Sequence, residues 1–313
     1  MLTPEQLEER RLGIGGSDVG ALFGLSPFLT AMDVYLSKVK EMPDKKSAAK
    51  DRGNNEEDGI LDWYQKHSGI LIKKPMYSFV HPEHSFLRAN LDGLSIDTQI
   101  VIEAKSIIAS KRSEWGQEGT NQIPPHYLLQ VAHYCLVCDA PEARLIVKWA
   151  PLKEEGKEWK GSPYSVYVYK RDERLEKAII QKAKAFWTNH VLANVPPPVQ
   201  SLKDCASRWP HAIPGTSIEA TDEILSLVEN LKELKKQEAE IKEKKKEVDI
   251  KIKAFFGDNE ALTNNEKVIA TLTNTIRLDI DDKKLKSDQP ELYKELQATY
   301  AKEVSFRTLY LRK

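Results

Sequence analysis

The chain has 313 residues, 41% hydrophobic and 30% charged, enough to build one good-sized domain plus an appendage at roughly 100 to 200 residues per domain. Its 47 basic and 47 acidic residues cancel, which excludes attraction to nucleic acid through overall charge and requires any such binding to come from a local basic groove. No segment approaches the roughly 18 apolar residues of a membrane span, the N-terminus reads as a helix start and not as a signal peptide, and three cysteines make no disulfide framework, so a cytoplasmic protein with reduced thiols and no membrane contact is expected.

In chain order, Thr3 caps a helix over residues 4–12, with Pro4 at its first position and Gln6 closing a capping box. Gly13-Ile14-Gly15-Gly16-Ser17-Asp18 then forms a glycine turn, and helical periodicity resumes over residues 19–25. Residues 51–69 predict an amphipathic helix with Ile60, Leu61, Trp63 and Tyr64 inward, Gly69 at its stop and Glu57 in its first turn. From Ile70 onward, short alternating runs broken by Pro75, Pro82 and an Asp92-Gly93 turn predict a sheet.

Residues 99–105 alternate so that Glu103 and Lys105 share one strand face, because side chains repeat every second residue. Pro124 and Pro125 introduce a helix over residues 126–138, strands follow over 145–149 and 164–169, a long helix covers 173–192, and Pro196-Pro197-Pro198 closes the unit. Residues 216–256 carry a heptad-like stripe of Ile224, Leu231, Leu234, Ile241, Val248, Ile252 and Phe255, ended by Gly257. Glu238 and Lys245 interrupt it, which predicts a helix lying on another surface or pairing over a short stretch, not a long autonomous coiled coil; its lysines read as a solvated face before they read as phosphate contacts. The tail predicts a hairpin around Asn274, a helix over 290–296 and a strand over 304–311. Three domains result: a large α/β unit 1–210, a long amphipathic helix 211–257 and a small α+β element 258–313.

Phosphodiester cleavage with magnesium calls for carboxylates that hold a hard cation and a group that helps form the attacking hydroxide. Asp92, Glu103 and Lys105 supply that set: Asp92 is read as ending one strand at a turn, and a hairpin brings it beside Glu103 eleven residues later. By itself the trio fits an exposed strand with an ordinary ion pair equally well. Backbone amides after the glycine turn suit an anion, and no Gly-Lys-Ser/Thr follows, which argues against a nucleotide-triphosphatase loop. A tight turn with Ser17 as a helix cap is the plainer alternative. Cys135-x-x-Cys138 is half a zinc motif without a second half, so core packing is expected. His126 and His133 flank Gln130 on one helix, where packing or DNA contact is expected before catalysis. Trp63, Trp115, Trp149 and Trp187 read as core, although Trp115 sits in a polar loop able to meet DNA.

Five ordered segments carry a resemblance: Arg11-Leu12-Gly13-Ile14-Gly15-Gly16-Ser17-Asp18-Val19, Gly53-Asn54-Asn55-Glu56-Glu57, Ala89-Asn90-Leu91-Asp92-Gly93-Leu94, Ile102-Glu103-Ala104-Lys105, and Tyr127-Leu128-Leu129-Gln130-Val131-Ala132-His133-Tyr134. The chain resembles the YqaJ-like viral recombinase family, phage alkaline exonucleases of the PD-(D/E)xK nuclease fold similar to lambda exonuclease, over about residues 8–200. The resemblance implies an α/β fold, a restriction-endonuclease-like mixed sheet flanked by helices, and the DNA exonuclease activity of that family. It implies that Asp92, Glu103 and the backbone carbonyl of Ala104 bind Mg2+, with Mn2+ as a substitute, and that Lys105 orients the attacking water. Glu57 would help hold a second metal: the family's acid stands four residues after the glycine, with Glu56 as the neighbouring candidate. Gln130 would position the water or a ligand, and Arg11 and Ser17 would grip a terminal 5′-phosphate or the scissile phosphate.

The same resemblance implies processive 5′ to 3′ degradation of one strand of linear double-stranded DNA, leaving 3′ tails for a single-strand annealing protein, and a homo-oligomeric ring, for instance a trimer. An iron–sulfur cluster, which needs four cysteines, is not expected from three. Two other readings remain: a structure-specific or restriction-like endonuclease with the same metal chemistry, and a nonenzymatic DNA-binding protein, whose expected mark is a broken metal set.

Overall fold

Residues 1–208 and 209–313 form two separate units in the computed structural model, which describes residues 11–39, 48–150, 163–276, 279–301 and 309. The helix expected over residues 4–12 and the strand over 304–311 therefore lie outside the described residues, apart from Arg11, Leu12 and Leu309.

In the first unit, α1 (Gly16–Leu22) follows the glycine turn, then α2 (Ala31–Val39) and α3 (Ala48–Ser68). Gly69, at a φ of 73° that favours glycine, stops α3 as expected. The helix starts at Ala48, however, three residues before the expected start, so Glu57 lies in its middle and not in its first turn.

Five strands, β1 (Ile72–Lys73), β2 (Phe79–Val80), β3 (Arg88–Ala89), β4 (Gly93–Ser95) and β5 (Val101–Ile108), fill the region of short alternating runs. Pro125 occupies the first turn of α4 (Pro125–Cys138), which crosses to β6 (Glu142–Ala150) and β7 (Tyr164–Lys170). The main sheet has the order β1-β4-β5-β6-β7, with β5 and β6 parallel and every other neighbour antiparallel. The mixed sheet with helices on its two faces is the α/β core that was expected.

Alternation along β5 decides which helix meets which residue. Val101, on the Glu103 and Lys105 side, belongs to the core that includes Leu129, Val131 and Ala132 of α4. Ile102, on the opposite side, belongs to the smaller core with Ile60, Leu61 and Tyr64 of α3. The helix expected over residues 173–192 is α-helical as α5 (Glu173–Phe186), capped by Asp172, and continues as a π-helical segment, Trp187–Leu192. A short helix that the periodicity did not predict, α6 (Leu202–Arg208), buries Asp204, whose carboxylate accepts from Thr30 at 2.5 Å and ties α6 to the start of α2.

In the second unit α7 (Asp222–Phe256) is capped by Thr221 and ends at Gly257. Its hairpin, β8 (Ala261–Asn264) with β9 (Lys267–Thr271), turns at Asn265 and Glu266, both at positive φ, and not at Asn274. The expected hairpin is thus nine residues too late: Asn265 suits the left-handed region, but Glu266 beside it gives no turn signal of its own. Helices α8 (Asp282–Asp288) and α9 (Pro290–Tyr300) follow. Among the described residues no helix is long and apolar enough to cross a membrane.

Candidate active site

Gly93 pairs with Ile102 and Leu94 with Val101, which sets Asp92, one residue before β4, beside Glu103. Asp92 therefore precedes a strand instead of ending one. Gly93 is a strand residue and not a turn glycine: a side chain there would meet Ile72 of β1 at 2.7 Å. The Ala104 N–H donates to Asp92 Oδ2 at 2.9 Å, fixing the carboxylate against β5.

Glu103 is 1% exposed. Its Oε1 accepts from Lys105 Nζ and, at 2.7 Å, from Gln130 Nε2 of α4. Its Oε2 is buried with no hydrogen-bond partner, a costly arrangement for a carboxylate unless a cation completes it. Burial, and then the charge of Glu103, push the Asp92 carboxyl up to about 7. For Lys105, burial works to lower the pKa, but the charges of Glu103 and Asp92 outweigh it and hold the ammonium firmly charged. The Lys105 ammonium also lies over the Tyr127 ring, 5.6 Å from its centre.

Glu57 is not drawn into contact with these groups. Lys74 engages its carboxylate at 2.6 Å, while burial and then the Asp92 charge raise its pKa, so it shares their electrostatic field. Glu56 faces elsewhere: Lys148 pairs with it at 3.1 Å, and Ser106 and Arg52 lower its pKa against the opposing effect of burial. Both Ser106 and Lys148 lie on the sheet face opposite Glu103, since they are register partners one residue out of phase with Lys105. Of the two candidate acids, Glu57 is the one electrically coupled to Asp92.

The glycine turn reaches this site by packing. A side chain at Gly16 would strike Tyr134 at 2.5 Å and Gln130 at 3.1 Å, and one at Gly20 would meet His126 at 3.0 Å. The close approach that glycine allows at these two positions is made by α4. Asp18, not Ser17, completes the cap of α1, accepting from the Gly15 N–H at 2.9 Å while paired in the interior with Lys38 at 2.7 Å. Ser17 is exposed and Arg11 is half-buried and engaged by neighbours.

Two aromatic residues escaped the sequence reading of the site. Tyr134 accepts from Gln130 Nε2 at 2.9 Å, and Tyr127 borders Lys105. Their signal was present, since Tyr127, Gln130 and Tyr134 recur at helical spacing on one face of α4. His133 is fully buried, its Nε2 near the Arg88 carbonyl at 2.9 Å, which excludes DNA contact. Trp115, the loop residue considered for DNA, is also buried, against Tyr127, Trp149 and Tyr167. Cys135 and Cys138 are free thiols of α4.

Residues 5–141 match the model of the YqaJ-like viral recombinase domain. The domain's matched span includes Asp92, Glu103, Lys105 and Gln130. Over 98% of its length the chain is 27% identical to uncharacterized protein YqaJ of Bacillus subtilis (strain 168), covering 93% of that relative. Among solved structures, LHK-Exo in complex with dAMP is similar at 17% identity and a TM-score of 0.49, over 62% of this chain and 94% of that one. A second crystal structure, an alkaline exonuclease (LHK-Exo) from Laribacter hongkongensis, gives 19% identity and a TM-score of 0.46, over 65% and 98%. A phage related exonuclease from Haemophilus somnus 129PT gives 13% and 0.44, over 58% and 95%.

Among the described residues no three His, Cys, Asp or Glu side chains converge as a metal site. The donors that this site does offer are the adjacent carboxylates of Asp92 and Glu103, with Oε2 of Glu103 uncompensated. That set fits a small hard cation, because magnesium keeps most of its waters and takes only one or two protein carboxylates.

Proposed function

We propose that the chain is a metal-dependent deoxyribonuclease, an exonuclease acting processively 5′ to 3′ on linear double-stranded DNA and leaving 3′ tails for a single-strand annealing protein. The observation that carries the nuclease reading is the buried Glu103, gripped on one oxygen by Lys105 and Gln130 and bare on the other, beside an Asp92 carboxyl raised to about 7. Such a charge arrangement is unfavourable in the resting chain and becomes favourable around a divalent ion. Polarity and processivity rest on the resemblance of the five segments, and a ring of subunits, for instance three, would account for processivity.

Asp92, Glu103 and the Ala104 carbonyl would hold Mg2+, or Mn2+ in its place, and Glu57 would assist a second ion from α3. The ion supplies Lewis-acid polarisation of the phosphate and acidifies water. Gln130 keeps Glu103 Oε1 occupied, so that Oε2 is the oxygen left for the ion. Lys105, charged throughout, orients the attacking water and offsets negative charge gathering on the phosphate. Arg11 and Ser17 would hold the terminal 5′-phosphate.

The test is digestion of linear duplex DNA phosphorylated at one 5′ end only, with Mg2+, with Ca2+, and with Lys105→Ala. Magnesium-dependent release of nucleotides from the phosphorylated end, lost in the variant, is the expected result. Nicking of closed circles at a comparable rate would make the enzyme an endonuclease, and DNA binding without cleavage in any metal would reduce it to a binding protein.

A further inference from the structure

Helix α7 carries apolar residues at alternating steps of three and four: Ile224, Leu227, Leu231, Leu234, Ile241, Val248, Ile252 and Phe255, with Glu238 and Lys245 filling the two remaining places. This is an unbroken run of a and d positions over the length of the helix. Only Leu231 is half-buried; the other apolar members are 43–76% exposed. An exposed stripe of eight apolar side chains, interrupted only at Glu238 and Lys245, marks an association surface.

The two charges in the seam choose the occupant and its direction. In a parallel pair of α7 helices in register, Glu238 would meet Glu238 and Lys245 would meet Lys245 in the same layers, and like charges in a buried seam are costly. In an antiparallel pair that overlaps the whole stripe, Ile224 of one helix lies opposite Phe255 of the other. Glu238 then falls one layer, about 5 Å, from Lys245 of the second copy. A polar residue at an a position sets register and orientation at some cost in stability, and this pair does so with opposite charges.

We propose that α7 is an antiparallel coiled-coil interface between two copies of this chain, with its register set by Glu238 and Lys245 across the seam. No residue of the stripe belongs to the unit that carries the candidate site.

Sedimentation equilibrium of the full chain tests it, because α7 is exposed and charge changes there leave the folded units intact. The dissociation constant of the assembly should rise about tenfold in Glu238→Lys, for a loss near 1.4 kcal/mol. It should return in the double swap Glu238→Lys with Lys245→Glu. A monomer at all concentrations, or an assembly indifferent to Glu238→Lys, overturns the proposal. A spin label on Ser226→Cys in a Cys205→Ser background reads the direction. Antiparallel pairing sets the two labels about 40 Å apart at 1.5 Å per residue, whereas about 20 Å, or no separation between chains, refutes it.

Discussion

Gln130 Nε2 donates to Glu103 Oε1 at 2.7 Å, joining a residue of α4 to one of β5 that stands 27 positions earlier. The same amide nitrogen donates to the Tyr134 hydroxyl at 2.9 Å, so the side chain is held at both ends of its reach. The bond leaves Oε2 as the open carboxylate oxygen of Glu103, and in the proposed mechanism Gln130 would act as a positioning residue.

Gln130→Ala should therefore lower kcat about 10- to 100-fold, the usual loss when a group supporting a metal ligand is removed, with little change in KM for DNA. Gln130→Glu should be worse and should shift the acid limb of the pH–rate profile upward, because another carboxylate beside Glu103 disfavours ionisation of the set. Steady-state kinetics over pH 6–9 (about the range of enzyme use) with both variants decides the matter; an unchanged kcat in Gln130→Ala would remove it from the mechanism.

Asp92 gives a stability prediction of definite sign. Its folded pKa of about 7 lies above the unfolded carboxylate value, so the folded chain binds this proton more tightly. Its contribution is most favourable at pH below about 4 and declines as pH rises to about 7, above which the full penalty applies. In metal-free protein at pH 8, Asp92→Asn should raise Tm by roughly 2–6 °C, the effect of 1–2 kcal/mol in a unit this size, while abolishing cleavage. Mg2+ should stabilise the wild-type chain and not this variant. Thermal melts from pH 4 to 8 (approximately, with and without Mg2+) test this, and equal melting of the two proteins across that range would sink it.

Gly16→Ala should destabilise the first unit by about 1–3 kcal/mol, as overpacking does, because the added carbon meets Tyr134 at 2.5 Å. It should also slow cleavage by displacing Gln130. Gly59→Ala, in the interior of α3 with open space around it, should instead stabilise by about 0.5–1 kcal/mol. Chemical denaturation of the two variants checks the contrast.

Thiol chemistry should separate the cysteines. Burial raises the pKa of Cys135, with the charge of Cys138 adding to it, and pushes Cys138 up to about 12, whereas Cys205 is exposed. In native protein a thiol-specific disulfide reagent should react promptly with Cys205 alone, and with all three cysteines after denaturation. Prompt native labelling of Cys135 or Cys138 would show that α4 opens readily at the site.

The elements themselves were legible from local pattern. Alternation in Val101–Ile108 placed Glu103 and Lys105 on one face, Pro125 marked the start of α4, and Gly69 marked the end of α3. The heptad spacing of α7 was readable too, down to the two charges that break it. These are properties of residues within a few positions of each other, which a period of two or three and a half expresses directly.

What joined them was decided by packing at long range. The meeting of Asp92 with Glu103 depends on the pairing of Gly93 with Ile102, and the preference for Glu57 over Glu56 depends on which residues each carboxylate meets at the sheet. Gly16 of the glycine turn and Gly20 of α1 are backed by Tyr134 and His126 of a helix more than a hundred residues later, a packing that no local pattern around the glycines expresses. The hairpin at Asn265 and Glu266 went unread because only Asn265 suits a positive φ, while Glu266 takes one without any such preference. Sequence periodicity states which side of an element is apolar; only close packing decides what that side, and each missing side chain, is pressed against.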